Sequence, residues 1–260
     1  MISVSPIAAF NDNYIWLISD TSNKQHYVVD PGDSEVVIAY LKQHQIELSG
    51  ILITHHHYDH TGGISGLQAH ADHKLHVYGP DDENIQGITH SISAQMESIT
   101  LPLLPTPIRI FHLPGHTLGH IAYQIESHLF CGDTLFSAGC GRLFEGTPKQ
   151  MLHSLNSLSE LEDDTLVYPA HEYTLANLKF ALHIEPNNKT LQQYQQKARL
   201  LRAEELPTLP TTLALEKAIN PFLRANSAEI QQNLSTHFQQ PISDEQTSFT
   251  LLRQWKDNFK

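Results

Sequence analysis

The chain has 260 residues and a formal net charge of −12, with 40% hydrophobic and 17% charged residues. That balance excludes a disordered chain, and the acidic surplus excludes a nucleic-acid or anionic-membrane surface, both of which need basic clusters. The length allows one large core, or one core with a small second domain.

The amino end carries no Lys or Arg before Lys24, and Asn11, Asp12 and Asn13 break its first apolar stretch. Neither a signal peptide nor a membrane span is therefore expected. Short apolar runs rich in β-branched and aromatic residues predict strands over 14–18, 27–29, 51–53, 108–111, 121–125 and 129–131. Several end in turn chemistry: Asp30-Pro31-Gly32, Pro114-Gly115 and Gly132-Asp133. Helical spacing marks 35–43, and a further helix is expected from Thr147, where Pro148 suits the first turn and Gln150 completes a capping box. After about Pro169 the pattern becomes helical over 175–183, 191–205, 228–234 and 245–259, with breaks at Pro186, Pro207, Pro210 and Pro221. The expectation is a first domain over 1–169 and a helical second domain over 170–260. Two cysteines, Cys131 and Cys140, are too few for a disulfide scaffold and point to a reduced, cytoplasmic setting.

The chain holds 18 histidines, and four of them stand in Thr54-His55-His56-His57-Tyr58-Asp59-His60, directly after a predicted strand. Imidazole with carboxylate suits zinc, iron or manganese. In a turning loop, His55 and His57 can share one side while Asp59 and His60 turn to another, so one segment can feed two neighbouring ions. A lone HxH would read as a solvated histidine-rich loop; the full HxHxDH after a buried strand favours a metal site. Further donors follow apolar runs: His116 in a Gly-rich turn, Asp133 after Gly132 and His171 after Ala170. Singly each reads as a turn residue, whereas together with the first cluster they supply seven ligands, enough for two ions with open positions.

HxHxDH, then Gly115-His116-Thr117-Leu118-Gly119-His120, then Gly132-Asp133-Thr134, then His171 before a helical tail resembles the metallo-β-lactamase superfamily. Asn11-Asp12-Asn13-Tyr14, the stretch from Phe136 to Arg142, Phe144-Glu145-Gly146-Thr147, His171-Glu172-Tyr173-Thr174 and Asn220-Pro221-Phe222 resemble its hydroxyacylglutathione hydrolase (glyoxalase II) family in particular. The resemblance covers the whole chain and implies an α/β (α+β) fold, an αββα sandwich carrying a C-terminal all-helical, substrate-binding domain. It implies that His55, His57 and His116 hold one divalent ion, that Asp59, His60 and His171 hold the other, and that Asp133 bridges them. Zinc is the expected metal, with iron or manganese as the other candidates. His56, Tyr58 and His120 receive no ligand role.

The implied reaction is cleavage of S-D-lactoylglutathione and related thioesters by a hydroxide shared between the ions, giving D-lactate and glutathione in the second step of methylglyoxal detoxification. Two adjacent ions acidify that water, and a thiolate leaves without a protein acid. Asp59 and Asp133 are the expected catalytic carboxylates, Asp59 by orienting the hydroxide as well as binding metal. Glutathione carries two carboxylates, so cations are wanted. On the last helix Phe249, Leu251, Leu252, Trp255 and Phe259 read as a core stripe with Arg253 and Lys256 at its edge. Alone these two would read as a solvated basic helix end. The resemblance instead makes them substrate-binding groups, together with Arg142 and Tyr173. Some relatives have Lys at the position of Arg142 and Tyr at that of Phe144, which changes donor geometry and removes a hydroxyl. Cys140 reads as a small buried thiol. The expected state is a monomer acting on a glutathione thioester, without nucleic-acid or membrane partners. The competing readings are a mononuclear-iron glutathione persulfide dioxygenase on the same scaffold, a β-lactamase, lactonase or nuclease, and a non-catalytic metal-binding protein.

Overall fold

A computed structural model describes residues 2–20, 22–102, 104 and 106–259. The chain divides into two compact units, one running up to His112 and including Gly119–Gly132, the other made of Leu113–Leu118 and the chain from Asp133 onward.

The first unit begins with β1 (Ile2–Ala9), β2 (Asn13–Asp20) and β3 (Gln25–Val29), then α1 (Ser34–His44) and β4 (Gly50–Leu52). A short helix α2 (Tyr58–Thr61), α3 (Ile64–His70), β5 (His76–Pro80), a single 3₁₀ turn at Asp81–Glu83 and β6 (His90–Ile92) follow. These six strands form one sheet in chain order, antiparallel from β1 to β3 and parallel from β3 to β6. Register aligns Val28 with Ile51 and Ile51 with Val77, and that face packs against Val37 and Leu41 of α1 and Ile64 and Leu67 of α3. α1 starts where the Asp33 side chain accepts the Glu35 N–H at 2.8 Å and stops at Gln45, which takes a left-handed conformation.

Four antiparallel strands complete this unit: β7 (Ser98–Ile99), β8 (Ile108–His112), β9 (Ile121–Ile125) and β10 (His128–Gly132). The buried Tyr123 hydroxyl of β9 donates to the carbonyl of Ile53 at 2.7 Å, tying this sheet to the end of β4. That bond matters because Ile53 leads directly into the histidine cluster.

The second unit holds the small ribbon β11 (Leu135–Phe136) and β12 (Gly139–Cys140), α4 (Pro148–Ser159), β13 (Leu166–Pro169), α5 (Thr174–Ile184) and α6 (Lys189–Ala203). β14 (Thr211–Thr212), α7 (Leu213–Ile219), α8 (Ala228–Phe238) and α9 (Glu245–Asn258) complete it. α4 begins with the expected capping box between Thr147 and Gln150. α5, α6 and α7 enclose a core of Leu178, Ala181, Leu191, Ala198 and Ile219. The tail is not wholly helical, because β14 pairs with β13, aligning Val167 with Thr211. Sequence reading also missed β1 and α7. Pro6 interrupts the alternation in β1, and α7 is only seven residues long, too short for a strong helical period. Among the described residues no helix is long and apolar enough to cross a membrane.

Candidate metal centre

In the first unit the cluster hangs from a clamped strand end. The Thr54 N–H and hydroxyl donate to the two oxygens of Asp30, each at 2.7 Å, and the Thr54 carbonyl accepts the Ile121 N–H at 2.9 Å. Since the Thr54 proton goes to Asp30, its oxygen is left to accept Nδ1–H of His55, 3.0 Å away. The His55 tautomer then carries its lone pair on Nε2, which lies 3.0 Å from Nδ1 of His57. A fixed outer nitrogen with the lone pair on the inner one is the arrangement a metal-binding histidine requires.

α2 turns the next two donors. His60 is fully buried, with Nδ1 3.0 Å from Asp30 Oδ2 and Nε2 3.5 Å from Asp59 Oδ2. Asp59 Oδ2 also accepts the Asn13 amide at 3.0 Å. The rings of His55 and His60 lie 4.1 Å apart, and His120 stacks on His55 at 4.8 Å. Asp30 therefore steadies two histidines at once, and it does so from a left-handed backbone conformation, φ 52°. Sequence reasoning took Asp30 only as the opening of a turn. A carboxylate at a strand end just before Pro-Gly was the available signal. Asn13 was noted for the resemblance but given no role.

In the second unit three more donors meet. His116 Nδ1 donates to the carbonyl of Arg142 at 2.8 Å, which leaves Nε2 as its lone-pair nitrogen, 3.3 Å from Asp133 Oδ2. The other oxygen of Asp133 lies 3.4 Å from His171 Nε2. One carboxylate thus faces a different imidazole with each oxygen, the geometry of a bridging ligand. The loop that supplies the Arg142 carbonyl passes so close that a Cβ on Gly141 would lie 1.9 Å from the Asp133 carbonyl oxygen. His171 stacks face to face on Tyr173 at 4.6 Å.

The donor chemistry of both units fits divalent metal: imidazoles whose outer nitrogens are held at His55 and His116, and carboxylates aimed at imidazole nitrogens. All four donors of the HxHxDH segment are brought together within the first unit, and His116, Asp133 and His171 within the second.

The expected substrate cations lie in the second unit. Arg142 is exposed, its Nε 3.6 Å from Asp257. Tyr173 is partly exposed, packed edge-on against Phe136. Arg253 is 6% exposed, so it is not a solvated helix end. It donates to the Cys140 carbonyl at 2.9 Å and to Asp257 at 2.9 and 3.1 Å, and it lies over the Phe222 ring. Asp257, which sequence reasoning did not single out, is shared by both arginines. Lys256 reaches the Ala176 carbonyl at 3.4 Å, and burial pulls its ammonium down to about 8. Cys140 is buried, and burial raises its thiol.

Residues 9–171 match the family model of the metallo-beta-lactamase superfamily, and the two-sheet unit with its HxHxDH cluster defines that class. The solved structure of ETHE1 from Myxococcus xanthus shares the fold, with a TM-score of 0.65 and 23% identity over 88% of each chain. Residues 172–259 match the model described as the hydroxyacylglutathione hydrolase C-terminus. A hydroxyacylglutathione hydrolase of Shewanella loihica is 65% identical, and one of Shewanella baltica 56% identical, each over 100% of both chains. The chain belongs to the hydroxyacylglutathione hydrolase family.

Proposed function

We propose that this chain hydrolyses S-D-lactoylglutathione, and other S-2-hydroxyacylglutathiones, to the 2-hydroxy acid and glutathione, the second step of methylglyoxal detoxification. The observation that carries this reading is the full-length relationship at 65% identity, which includes the hydroxyacylglutathione hydrolase C-terminus as well as the ligand-bearing segments.

The proposed ligand set is His55, His57 and His116 for one divalent ion, Asp59, His60 and His171 for a second, and Asp133 between them. Zinc is the metal proposed, with iron or manganese as the other candidates, and the tautomers fixed by Thr54 and by the Arg142 carbonyl support metal binding by His55 and His116. Bound there, two divalent cations supply an acidified water at neutral pH and positive charge for the developing oxyanion. The protein's own part is placement. Asn13 holds Asp59 so that its carboxylate can orient the attacking water, and the Arg142 carbonyl fixes the ring of His116. The glutathione thiolate is a good leaving group and needs no protein acid.

The segment over 170–260 is proposed as the substrate-binding domain. Tyr173, Arg253 and Lys256 are its tripeptide contacts, joined by Arg142 from outside it, with Arg253 acting also by holding the Cys140 loop. Action as a cytoplasmic monomer completes the proposal. Purified protein of measured metal content, assayed by loss of thioester absorbance on S-D-lactoylglutathione, tests it. Oxygen consumption on glutathione persulfide without thioester cleavage would replace this reading with the dioxygenase.

A further inference from the structure

Glu83 stands at the end of an acidic run, Asp81-Asp82-Glu83, whose first two members are exposed. Glu83 itself is 7% exposed, an unusual place for a carboxylate with no lysine or arginine paired to it among the described residues. Its bonds explain the burial. Oε2 accepts the backbone N–H of His56 at 2.8 Å and also meets Nδ1 of the His56 ring, while Oε1 accepts the backbone N–H of Gly119 at 2.7 Å. A charge buried in this way is held by hydrogen bonds from otherwise unsatisfied backbone donors.

The two strands of chain it joins are separated by more than sixty positions and both touch the metal-ligand segment. His56 lies between His55 and His57, and Gly119 precedes His120, whose ring stacks on His55. The approach depends on Gly119 having no side chain. A Cβ there would lie 2.3 Å from Asp82 Oδ1 and 2.8 Å from Glu83 Cγ. Because successive side chains in a turning loop point in different directions, fixing the His56 backbone fixes how His55 and His57 face each other. His56, which takes no ligand role, thereby acquires a positioning role: it is the handle by which the loop is held.

We infer that Glu83 is a positioning residue for the metal centre, clasping the HxHxDH loop to the turn that carries His120 so that His55 and His57 keep a shared metal between them. The inference rests on the metal-binding reading above. It concerns retention of the ion rather than contact with substrate, since the Glu83 carboxylate is committed to His56 and Gly119. Outer partners of metal ligands commonly change affinity by about 10- to 100-fold when removed.

The test compares zinc-loaded wild type with Glu83→Gln, Glu83→Ala and Gly119→Ala. The readouts are the rate of zinc transfer to a chromophoric chelator, the thermal unfolding of the metal-stripped proteins, and the KM for the thioester. The clasp predicts zinc release at least about tenfold faster in Glu83→Ala and Gly119→Ala, an intermediate rate in Glu83→Gln, and an unchanged KM. Variants that unfold more easily when stripped of metal, yet release zinc at the wild-type rate, would make Glu83 a purely structural residue and overturn the inference. If Glu83→Ala does not fold, Glu83→Gln and Gly119→Ala decide the same question. A wild type that holds no zinc would instead overturn the metal reading itself.

Discussion

Nδ1 of His60 lies 3.0 Å from Oδ2 of Asp30, the same oxygen that accepts the hydroxyl of Thr54 at 2.7 Å. Through Thr54 that carboxylate also sets the tautomer of His55. A single buried acid thus orients one histidine assigned to each ion, although it coordinates neither.

Asp30→Asn keeps the shape and removes the charge. Metal affinity is expected to fall by about 10- to 100-fold, read as residual metal per chain after dialysis against a graded chelator. An affinity equal to that of wild type would show that the Asp30 contacts do not bear on the ligands.

Asp59→Asn separates binding from orientation. If Asp59 orients the attacking water, kcat drops by about 10²-fold or more in protein still carrying its metal, with KM little changed. Full activity with the metal retained would refute the orienting role.

Lys256 gives the pH dependence a direction. The groups facing it are Arg253 and Asp257 on its own helix, Cys140 on β12 and Lys179 on α5, and burial is the largest influence on its ammonium. Held at about 8, it is cationic below that pH and neutral above it, so its attraction for a substrate carboxylate is present at neutral pH and lost as pH rises. KM is expected to climb by roughly tenfold through that range while kcat stays level. In Lys256→Gln the KM should be high at neutral pH and the inflexion should vanish. For stability the sign reverses: between about 8 and the ordinary lysine range the unfolded chain binds the extra proton, so the fold gains stability with rising pH.

The carboxylate of Glu216 is fully buried in the second unit and takes four donors: the hydroxyls of Ser137 and Thr211, the Ala138 N–H and the Asn220 amide. Ala138 sits at φ 54°, a strained value that these bonds hold in place. Glu216→Ala leaves those donors buried without an acceptor, and a loss on the order of 3 kcal/mol is expected in denaturant unfolding. A loss within the range of an ordinary surface substitution, about 0.5 kcal/mol, would contradict that account.

The sequence made some of this legible and hid the rest for physical reasons. The strands β2, β3, β8, β9 and β10 showed as β-branched and aromatic runs because they are buried, and α4 showed through its capping box. His55, His57, Asp59 and His60 stood out because four donors in six residues have no common structural use. Asp30, Glu83 and Asp257 stayed hidden because each looks like a polar residue in a polar setting. Asp30 precedes Pro-Gly, Glu83 ends an acidic run and Asp257 lies in the last turn of a helix. Their roles depend on distant partners, 24 positions away for Thr54 with Asp30 and 115 for Arg142 with Asp257, beside the local Arg253. For Arg253, helical spacing alone read as the edge of a solvated helix end and only the resemblance pointed elsewhere, since spacing cannot reveal that the side chain is buried against the Cys140 carbonyl.

The central claim is that seven side chains hold two ions and that hydrolysis depends on both. Its most direct test is to strip the protein of metal, titrate zinc back, and follow S-D-lactoylglutathione hydrolysis against zinc bound per chain. The account predicts negligible activity without metal and a plateau reached at two equivalents, with Asp133→Ala unable to reach it. Full hydrolysis by the stripped protein, or a plateau at a single equivalent, would contradict it.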